Sequence, residues 1–163
     1  EKMMKLLNLT IAAVLSLGVA QADDHTSYFA VGYKSMELSD NFGDLDTTGT
    51  QLTLGTQVAE NTLVELNLLT FLEVEDLEIT STDVSILYYP VGNGIFGRLG
   101  YSEGEIEFED ISVDDGTVIY GVGYDIPVGE SGAVRIEYTS AEYSEGGVDV
   151  DVDGFTISAG VRF

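Results

Sequence analysis

Apolar and polar positions alternate with a period of two along most of the chain. From residue 27 to the last residue, no stretch shows the sustained 3.6-residue period of an amphipathic helix. Alternation of this kind is typical of β-strands whose two faces meet different surroundings. The pattern predicts eight strands, over residues 27–38, 49–59, 62–75, 81–89, 94–105, 116–126, 132–143 and 150–163. This part of the chain is therefore predicted to be all-β.

The segments between the predicted strands are of two kinds. Those after the second, fourth and sixth strands are short and contain both prolines, Pro90 and Pro127, where a missing N–H is harmless. Those after the first, third, fifth and seventh strands are acidic and mostly longer, and we expect them to be loops. Short turns at one end and long loops at the other predict an eight-stranded antiparallel up-and-down β-barrel, the layout of outer-membrane barrels.

The two faces of the predicted strands differ in charge. One face is built from aliphatic and aromatic residues, such as Val31 and Leu99, with almost no charge. The other contains every basic residue beyond position 22, namely Lys34, Arg98, Arg135 and Arg162. A water-soluble barrel would carry lysines on its outside, whereas charge on the lipid side of a membrane barrel costs about 2–4 kcal/mol at mid-bilayer. We therefore expect the apolar face to contact lipid and the polar face to line the lumen.

Aromatic residues recur at both ends of the apolar face. We let the odd-numbered strands run outward from the periplasm. The periplasmic edge then carries Phe29, Tyr88, Tyr124 and Phe163, and the outer edge carries Tyr33, Tyr101, Tyr138 and Phe155. These sets match the two aromatic girdles of membrane barrels, where amphipathic rings favour the interface. They count against the alternative fold, a secreted β-sandwich with an aromatic core.

The first 22 residues differ from the rest. Two lysines precede an apolar run from Leu6 to Ala20, and an A-x-A site, Ala20 to Ala22, closes the segment. This is the layout of a secretory signal peptide, whereas a spanning helix needs about 20 apolar residues. We expect residues 1–22 to be cleaved and residues 23–163 to form one barrel domain in the outer membrane of a Gram-negative cell.

The chain is strongly acidic, with a formal net charge of −23 at pH 7. This balance disfavours nucleic-acid binding, which needs a footprint of lysine and arginine. The hydrophobic content of 44% argues against the disorder that often accompanies acidic chains. The absence of cysteine excludes disulfides and thiolate metal sites.

Four stretches carry a resemblance to a known group of proteins: GRLGY (97–101), YGVGYDIP (120–127), VRIEYTS (134–140) and ISAGVRF (157–163). With the signal segment and the strand order, they make the chain similar to the small eight-stranded outer-membrane barrels of the OmpA-like and OmpX-like group, within the porin family. The resemblance implies a monomeric integral outer-membrane protein without enzymatic activity or cofactor. It also implies insertion by an assembly machinery that reads the final strand, so that Phe163 would be an assembly signal.

The inward charges are the clearest functional candidates. We expect an ion-pair network in the lumen, because an unpaired buried charge would cost several kcal/mol. Its predicted members are Lys34, Glu65, Arg98, Asp125, Arg135, Glu137 and Arg162. Eight strands enclose a lumen that side chains only just fill, so the network is expected to be a satisfied polar core. The alternative is a gated, low-conductance pore whose ion pairs exchange partners.

No catalytic, cofactor or metal site is predicted. The stretch DVDVDG (149–154) matches the opening of an EF-hand calcium loop, but the twelfth position is Gly160 instead of Glu and the flanks are strands. His25, the only histidine, is expected on the periplasmic side, so no histidine is available as a catalytic base at the outer rim. A solvated, self-repelling surface is expected for the acidic loops, and weak divalent cations bridging them to lipopolysaccharide are the alternative.

The sequence thus predicts a non-enzymatic outer-membrane barrel. Its expected role is to maintain the envelope, to contact outer-membrane lipid and lipopolysaccharide, or to present acidic loops to partners. A narrow channel is the alternative, and a lipid-acting membrane enzyme is the third candidate.

Overall fold

The computed structural model describes residues 27–40, 43–71, 77–90, 94–108, 111–145 and 148–163. These ranges form eight strands: β1 (Ser27–Asp40), β2 (Gly43–Ala59), β3 (Thr62–Phe71), β4 (Leu77–Tyr88), β5 (Ile95–Phe108), β6 (Ile111–Val128), β7 (Gly132–Glu145) and β8 (Val148–Arg162). Each strand pairs antiparallel with the next, and β8 pairs with β1, so the sheet closes into a barrel. The predicted eight-stranded up-and-down barrel is confirmed.

Across the described ranges, no helix has the length and apolarity that crossing a membrane requires. The predicted signal peptide, residues 1–22, lies outside the described residues and stays a prediction.

Hydrogen bonds close the seam between β1 and β8 at the end of the barrel where β1 begins and β8 ends. Ser27 N donates to Phe163 O at 2.9 Å, and Phe163 N donates to Ser27 O at 2.8 Å. On the other side, Arg162 N donates to Ser131 O at 2.7 Å. Hydrogen bonds to both neighbours therefore fix the end of β8.

The connections at this same end are short, as the sequence predicts. Asn61 O, in the turn after β2, accepts a hydrogen bond from Tyr89 N in the next turn at 2.9 Å. Gly94 and Gly129 have φ angles of 90° and 66°, which L side chains rarely adopt, so these two turns require glycine. Short turns lie at the periplasmic end of outer-membrane barrels, and we name the two ends accordingly.

The structure corrects the predicted boundaries at the extracellular end. Most residues predicted to form acidic loops lie in strands, since β2 begins at Gly43 rather than 49 and β6 at Ile111 rather than 116. Pairing continues to Asp40↔Gly43, Phe108↔Ile111 and Glu145↔Val148. In contrast, β3 ends at Phe71 instead of 75, and residues 72–76 lie outside the described ranges. The acidic stretches were interpreted as loops from their charge, although the period-two alternation persists through them.

The apolar face lies on the outside of the barrel, as predicted. Leu99, on the lipid-facing side of β5, is 62% exposed, and Phe163 is 76% exposed. The other aromatic residues assigned to the girdles are exposed on the same face: Phe29, Tyr33, Tyr88, Tyr101, Tyr124, Tyr138 and Phe155. Leu66 shares the outward position in the register but is fully buried.

Above the outer aromatic ring, the outward face becomes acidic. Glu37 lies four residues beyond Tyr33 on β1, Glu142 lies four residues beyond Tyr138 on β7, and both acids are exposed. Charge is expensive against lipid and favourable in water. This change agrees with the prediction that the tyrosines mark the outer edge of the lipid band and that the hairpins beyond it face water.

At about the same level, the inward face changes from polar to apolar. On β1, Met36 follows Lys34, and on β3, Leu69 follows Asn67; all four side chains are buried. Met36 and Leu69 form one cluster, against which Leu38 and Val152 pack. We call these four residues the apolar layer. Beyond the membrane, the barrel thus has the polarity of a water-soluble protein, with apolar residues inside and acids outside.

Replacing Leu99 by Arg tests the assigned position of the lipid band. A guanidinium at the bilayer midplane costs about 2–4 kcal/mol. We expect Leu99→Arg to lower the free energy of unfolding by that amount, measured by urea titration of the barrel in lipid vesicles. The matched variant Glu142→Arg, on the same face above the aromatic ring, should change it by less than about 1 kcal/mol. Equal losses in the two variants would contradict the assignment.

Candidate functional site: the charged lumen

A continuous chain of ion pairs crosses the lumen. In order, it joins Arg162, Asp125, Arg135, Glu65, Arg98 and Glu137, contributed by β3, β5, β6, β7 and β8. All of these residues except Arg162 are buried. Inward side chains of an eight-stranded barrel converge on a narrow axis, and residues distant in sequence therefore meet there.

Arg135 is the centre of the periplasmic half of this network. Its Nε and Nη2 contact Asp125 Oδ1 and Oδ2 at 2.6 and 3.0 Å, a bidentate pair. Its Nη1 donates to Glu65 and, at 3.0 Å, to the Tyr28 hydroxyl. The guanidinium carbon lies 5.3 Å from the Tyr28 ring centroid and 4.6 Å from that of Phe96, within the range of cation–π attraction. Two carboxylates and two rings thus compensate one buried cation.

Tyr89, which lies just beyond the end of β4, completes this half. Its hydroxyl donates to Asp125 Oδ2 at 2.7 Å and accepts from Arg135 Nη2 at 3.0 Å. Burial raises the pKa of this hydroxyl above its ordinary value, so it stays protonated and remains a donor. Its ring centroid lies 5.3 Å from that of Phe96.

Glu65 connects the two halves of the network. One of its carboxylate oxygens accepts from Arg135 and the other accepts from Arg98. Arg98 also makes a two-point contact with Glu137, in which Nε pairs with Oε1 and Nη2 lies 3.1 Å from Oε2. Glu65 is 0% exposed, so the arginines rather than water compensate its charge.

Lys34 lies beside this chain, on β1. It is buried, and its ammonium group interacts electrostatically with Asp83 and Glu137. A Cβ at Gly154 would overlap Lys34 Cε, so glycine leaves the space that the lysine occupies.

Glycine plays the same role beside the aromatic rings of the periplasmic half. A Cβ at Gly55 would overlap the Tyr28 ring, and one at Gly123 would overlap the Phe96 ring. Glycine at inward positions therefore accommodates large side chains in the lumen.

Uncharged polar side chains on β2 and β3 lie between the ion pairs and the apolar layer. Thr53 Oγ1 and Gln51 Nε2 donate to Asn67 Oδ1 at 2.7 and 3.1 Å. The order is visible along β3, where Glu65, Asn67 and Leu69 occupy successive inward positions and are all buried. Along this strand, charged, polar and apolar side chains thus follow one another toward the extracellular end.

The structure brings six of the seven predicted lumen residues into one chain of contacts and places Lys34 beside it. Arg162 lies at the periplasmic mouth, where its side chain is 44% exposed. Tyr28, Phe96 and Tyr89 were not among the predicted lumen residues. The first two occupy inward positions of β1 and β5, so the alternation could have identified them. Tyr89 was the last residue of the predicted fourth strand, but it lies just beyond the end of β4, where the turn sets its position.

The remaining predicted features lie outside this network. Phe163 is on the outer side of the barrel, and its role as an assembly signal stays a prediction. Among the side chains that the structure describes, no group of three or more acids or histidines lies close enough to hold a metal ion. Many acids of the extracellular hairpins, and His25, fall outside that part of the chain.

Glu65→Gln tests whether the shared carboxylate balances the two arginines. The substitution keeps the side-chain shape and removes the one carboxylate that contacts both buried arginines. Removing one partner of a buried ion pair costs about 3–5 kcal/mol. We expect the free energy of unfolding in vesicles to fall by this amount in a urea titration. The control is Glu60→Gln, in the exposed turn of the same hairpin, which should change it by about 0.5 kcal/mol or less. A similarly small effect for Glu65→Gln would contradict the assigned role.

The chain has the same fold as solved structures that are distant from it in sequence. The chain is similar to Ail, the attachment invasion locus protein of Yersinia pestis, crystallised with the heparin analogue sucrose octasulfate. That match has 16% identity and a TM-score of 0.62, and it covers 86% of this chain and 99% of Ail. Neisserial surface protein A matches with 12% identity and a TM-score of 0.65, covering 84% of this chain and 97% of that one. Identities this low show a common fold alone.

No curated protein matches the sequence. The family model described as the outer membrane protein beta-barrel domain matches residues 8–163, nearly the whole chain. Together with the closed eight-stranded barrel, its apolar outer face and its charged lumen, this match shows that the chain belongs to the outer membrane protein beta-barrel domain family.

Proposed function

We propose that this outer-membrane barrel is a non-conducting, non-enzymatic protein that maintains the envelope and presents acidic hairpins at the cell surface. The observation that carries the proposal is the filling of the lumen by three successive layers. A monomer suffices for this role, because one chain supplies every member of the described ion-pair network.

The charged layer opposes the passage of ions. An ion crossing it would have to separate two-point pairs, Arg98 with Glu137 and Arg135 with Asp125, inside a region of low dielectric constant. Beyond these pairs, the four apolar side chains around Met36 and Leu69 cannot replace the hydration of an ion, and the buried Thr47, opposite Met36, offers one hydroxyl. A closed lumen therefore fits these contacts better than a pore.

The same contacts argue against catalysis in the lumen. A general base or a nucleophile must have a free position for the reacting group within hydrogen-bond reach. The buried carboxylates Glu65, Asp125 and Glu137 each accept hydrogen bonds from arginine. Because these oxygens already accept hydrogen bonds from arginine, they are not free to act as a base or a nucleophile, which supports a non-enzymatic role.

The extracellular hairpins carry acids in direct opposition. In the register, Glu37 faces Asp46 on one side and Asp153 on the other. Like charges in cross-strand pairs are destabilising, so this arrangement costs stability and favours contacts that screen it. We propose that divalent cations link the hairpins to the phosphates of lipopolysaccharide, which would offset the repulsion.

A narrow channel is the second candidate, and one observation favours it. Glu65 is shared, and each of the arginines that it binds has another carboxylate partner, Glu137 or Asp125. Displacement of Glu65 would leave both arginines paired, so the network has an alternative arrangement.

Planar-bilayer recordings distinguish the two candidates. We expect silent bilayers for the native barrel and for Glu65→Ala, because the apolar layer stays in place when the carboxylate is removed. Heat-modifiable migration on a gel would verify that the variant inserts folded. Discrete current steps in the native protein, or in Glu65→Ala alone, would favour the channel.

Sucrose octasulfate, the polyanion bound to Ail, tests the surface role. Outward residues of the described hairpin segments, such as Glu37, Asp46, Glu142 and Asp151, are acidic and exposed, so a polysulfate should be repelled. We expect no heat of binding at submillimolar concentrations in isothermal titration calorimetry without divalent cations. Binding under these conditions would contradict the proposed surface chemistry.

A further inference from the structure

A cavity of about 450 Å³ opens at the periplasmic end of the barrel. Its volume lies within the range of about 300–1,000 Å³ that is typical of small-molecule sites. Its lining includes Tyr28, Leu63, Tyr89, Tyr124, Asp125 and Arg162. We call it the periplasmic vestibule.

The vestibule is closed on its inner side. Asp125 and Tyr89, which line it, are bonded to Arg135, and the rest of the ion-pair network lies behind them. Further along the axis, the polar and apolar layers fill the lumen. A molecule that entered from the periplasm would therefore stop at Asp125 and Tyr89, as it would in a binding site.

The vestibule combines aromatic residues with a cation. Tyr28 and Tyr89 are its inward aromatic residues, and Leu63 adds an aliphatic one. Among the residues that the structure describes, Arg162 is the one basic residue that lines the cavity. Such a lining suits a molecule with an apolar body and one polar group.

The polar groups of the vestibule differ in whether they can form further hydrogen bonds with a ligand. Asp125 already accepts two hydrogen bonds from Arg135 and one from Tyr89. Arg162 makes its described ion pair with Asp125 at 3.5 Å, beyond ordinary hydrogen-bond length, and its side chain is 44% exposed. The guanidinium therefore has donors to offer, whereas the carboxylate is occupied. Glu60 also lines the cavity, and its backbone oxygen accepts a hydrogen bond from Gln57. Its side chain is exposed, and the negative charge there would repel a bound anion.

We propose that the periplasmic vestibule binds a small amphipathic anion. Arg162 would hold a carboxylate or phosphate group through its planar pair of donors, and the tyrosines would contact a ring or short apolar chain. Entry from the periplasm needs no movement of the ion-pair network. The site is thus independent of whether the lumen conducts.

The NMR signals of the arginine side chains provide a direct test, because the chain contains only three arginines: Arg98, Arg135 and Arg162. The barrel would be labelled with ¹⁵N-arginine, placed in phosphatidylcholine nanodiscs and titrated with benzoate or phenyl phosphate. We expect the Nε–H signal of Arg162 to shift most and that of Arg98, behind Glu65, to stay unchanged. Comparing the two probes shows whether carboxylate or phosphate is preferred.

Two variants with opposite effects make the test specific. Arg162→Gln should weaken benzoate binding by about tenfold, because a charged donor pair is lost. Glu60→Gln should strengthen it by about twofold, because an opposing but exposed charge is removed. Glu130→Gln, an equal change of charge in an exposed turn at the same end, should have no effect. Unfolding curves would establish that all three variants are folded.

Neutral and cationic probes of the same size provide the results that would contradict the proposal. Benzyl alcohol and benzylammonium should shift the Arg162 signal far less than benzoate does. Equal binding of benzyl alcohol would show an unselective apolar cavity and would overturn the proposal. Preferential binding of benzylammonium, weakened by Glu60→Gln, would overturn it in favour of a cation site.

Discussion

The buried contact of Glu65 with Arg98 and Arg135 is the interaction on which the rest of the barrel depends. Lipid around the outer face excludes charge, so the barrel's buried lysine and arginines lie inside, where water cannot solvate them. Lys34, Arg98, Arg135 and, at the periplasmic mouth, Arg162 are balanced by Glu65, Asp83, Asp125 and Glu137. Glycines at Gly55, Gly123 and Gly154 leave the space that these side chains and their aromatic neighbours need. The described lumen charges therefore balance.

Along the strands, the surroundings of the outer face change from lipid to water. Between the aromatic rings, apolar residues face lipid and charges face the lumen. Above the outer ring, Glu37 and Glu142 face water, while Met36 and Leu69 form an apolar interior. Because side chains alternate along a strand, this exchange requires no break in the sheet. The described parts of the extracellular hairpins are therefore a continuation of the barrel wall. The periplasmic side stays open as far as Asp125 and Tyr89.

The alternation of the sequence was sufficient to predict the closed barrel, the lipid-facing side and the inward location of Lys34, Arg98 and Arg135. It did not give the pairing within the lumen, because the contact of Glu65 with Arg135 depends on how five strands converge on one axis. Strand ends near Gly43 and Ile111 were placed too late, since clustered acids were interpreted as loops. Tyr89 was missed because its position is set by the turn after β4 and by its bond to Asp125, neither of which has a period.

A double-mutant cycle on Glu65 and Arg98 tests the central claim most directly. The free energy of unfolding in lipid vesicles would be measured for the native barrel, Glu65→Gln, Arg98→Gln and the double variant. If the buried pair supports the lumen, the double variant should lose less stability than the sum of the single variants, with a coupling energy of about 1–3 kcal/mol. Losses that add to within about 0.5 kcal/mol would show that the two side chains act independently and would contradict the account.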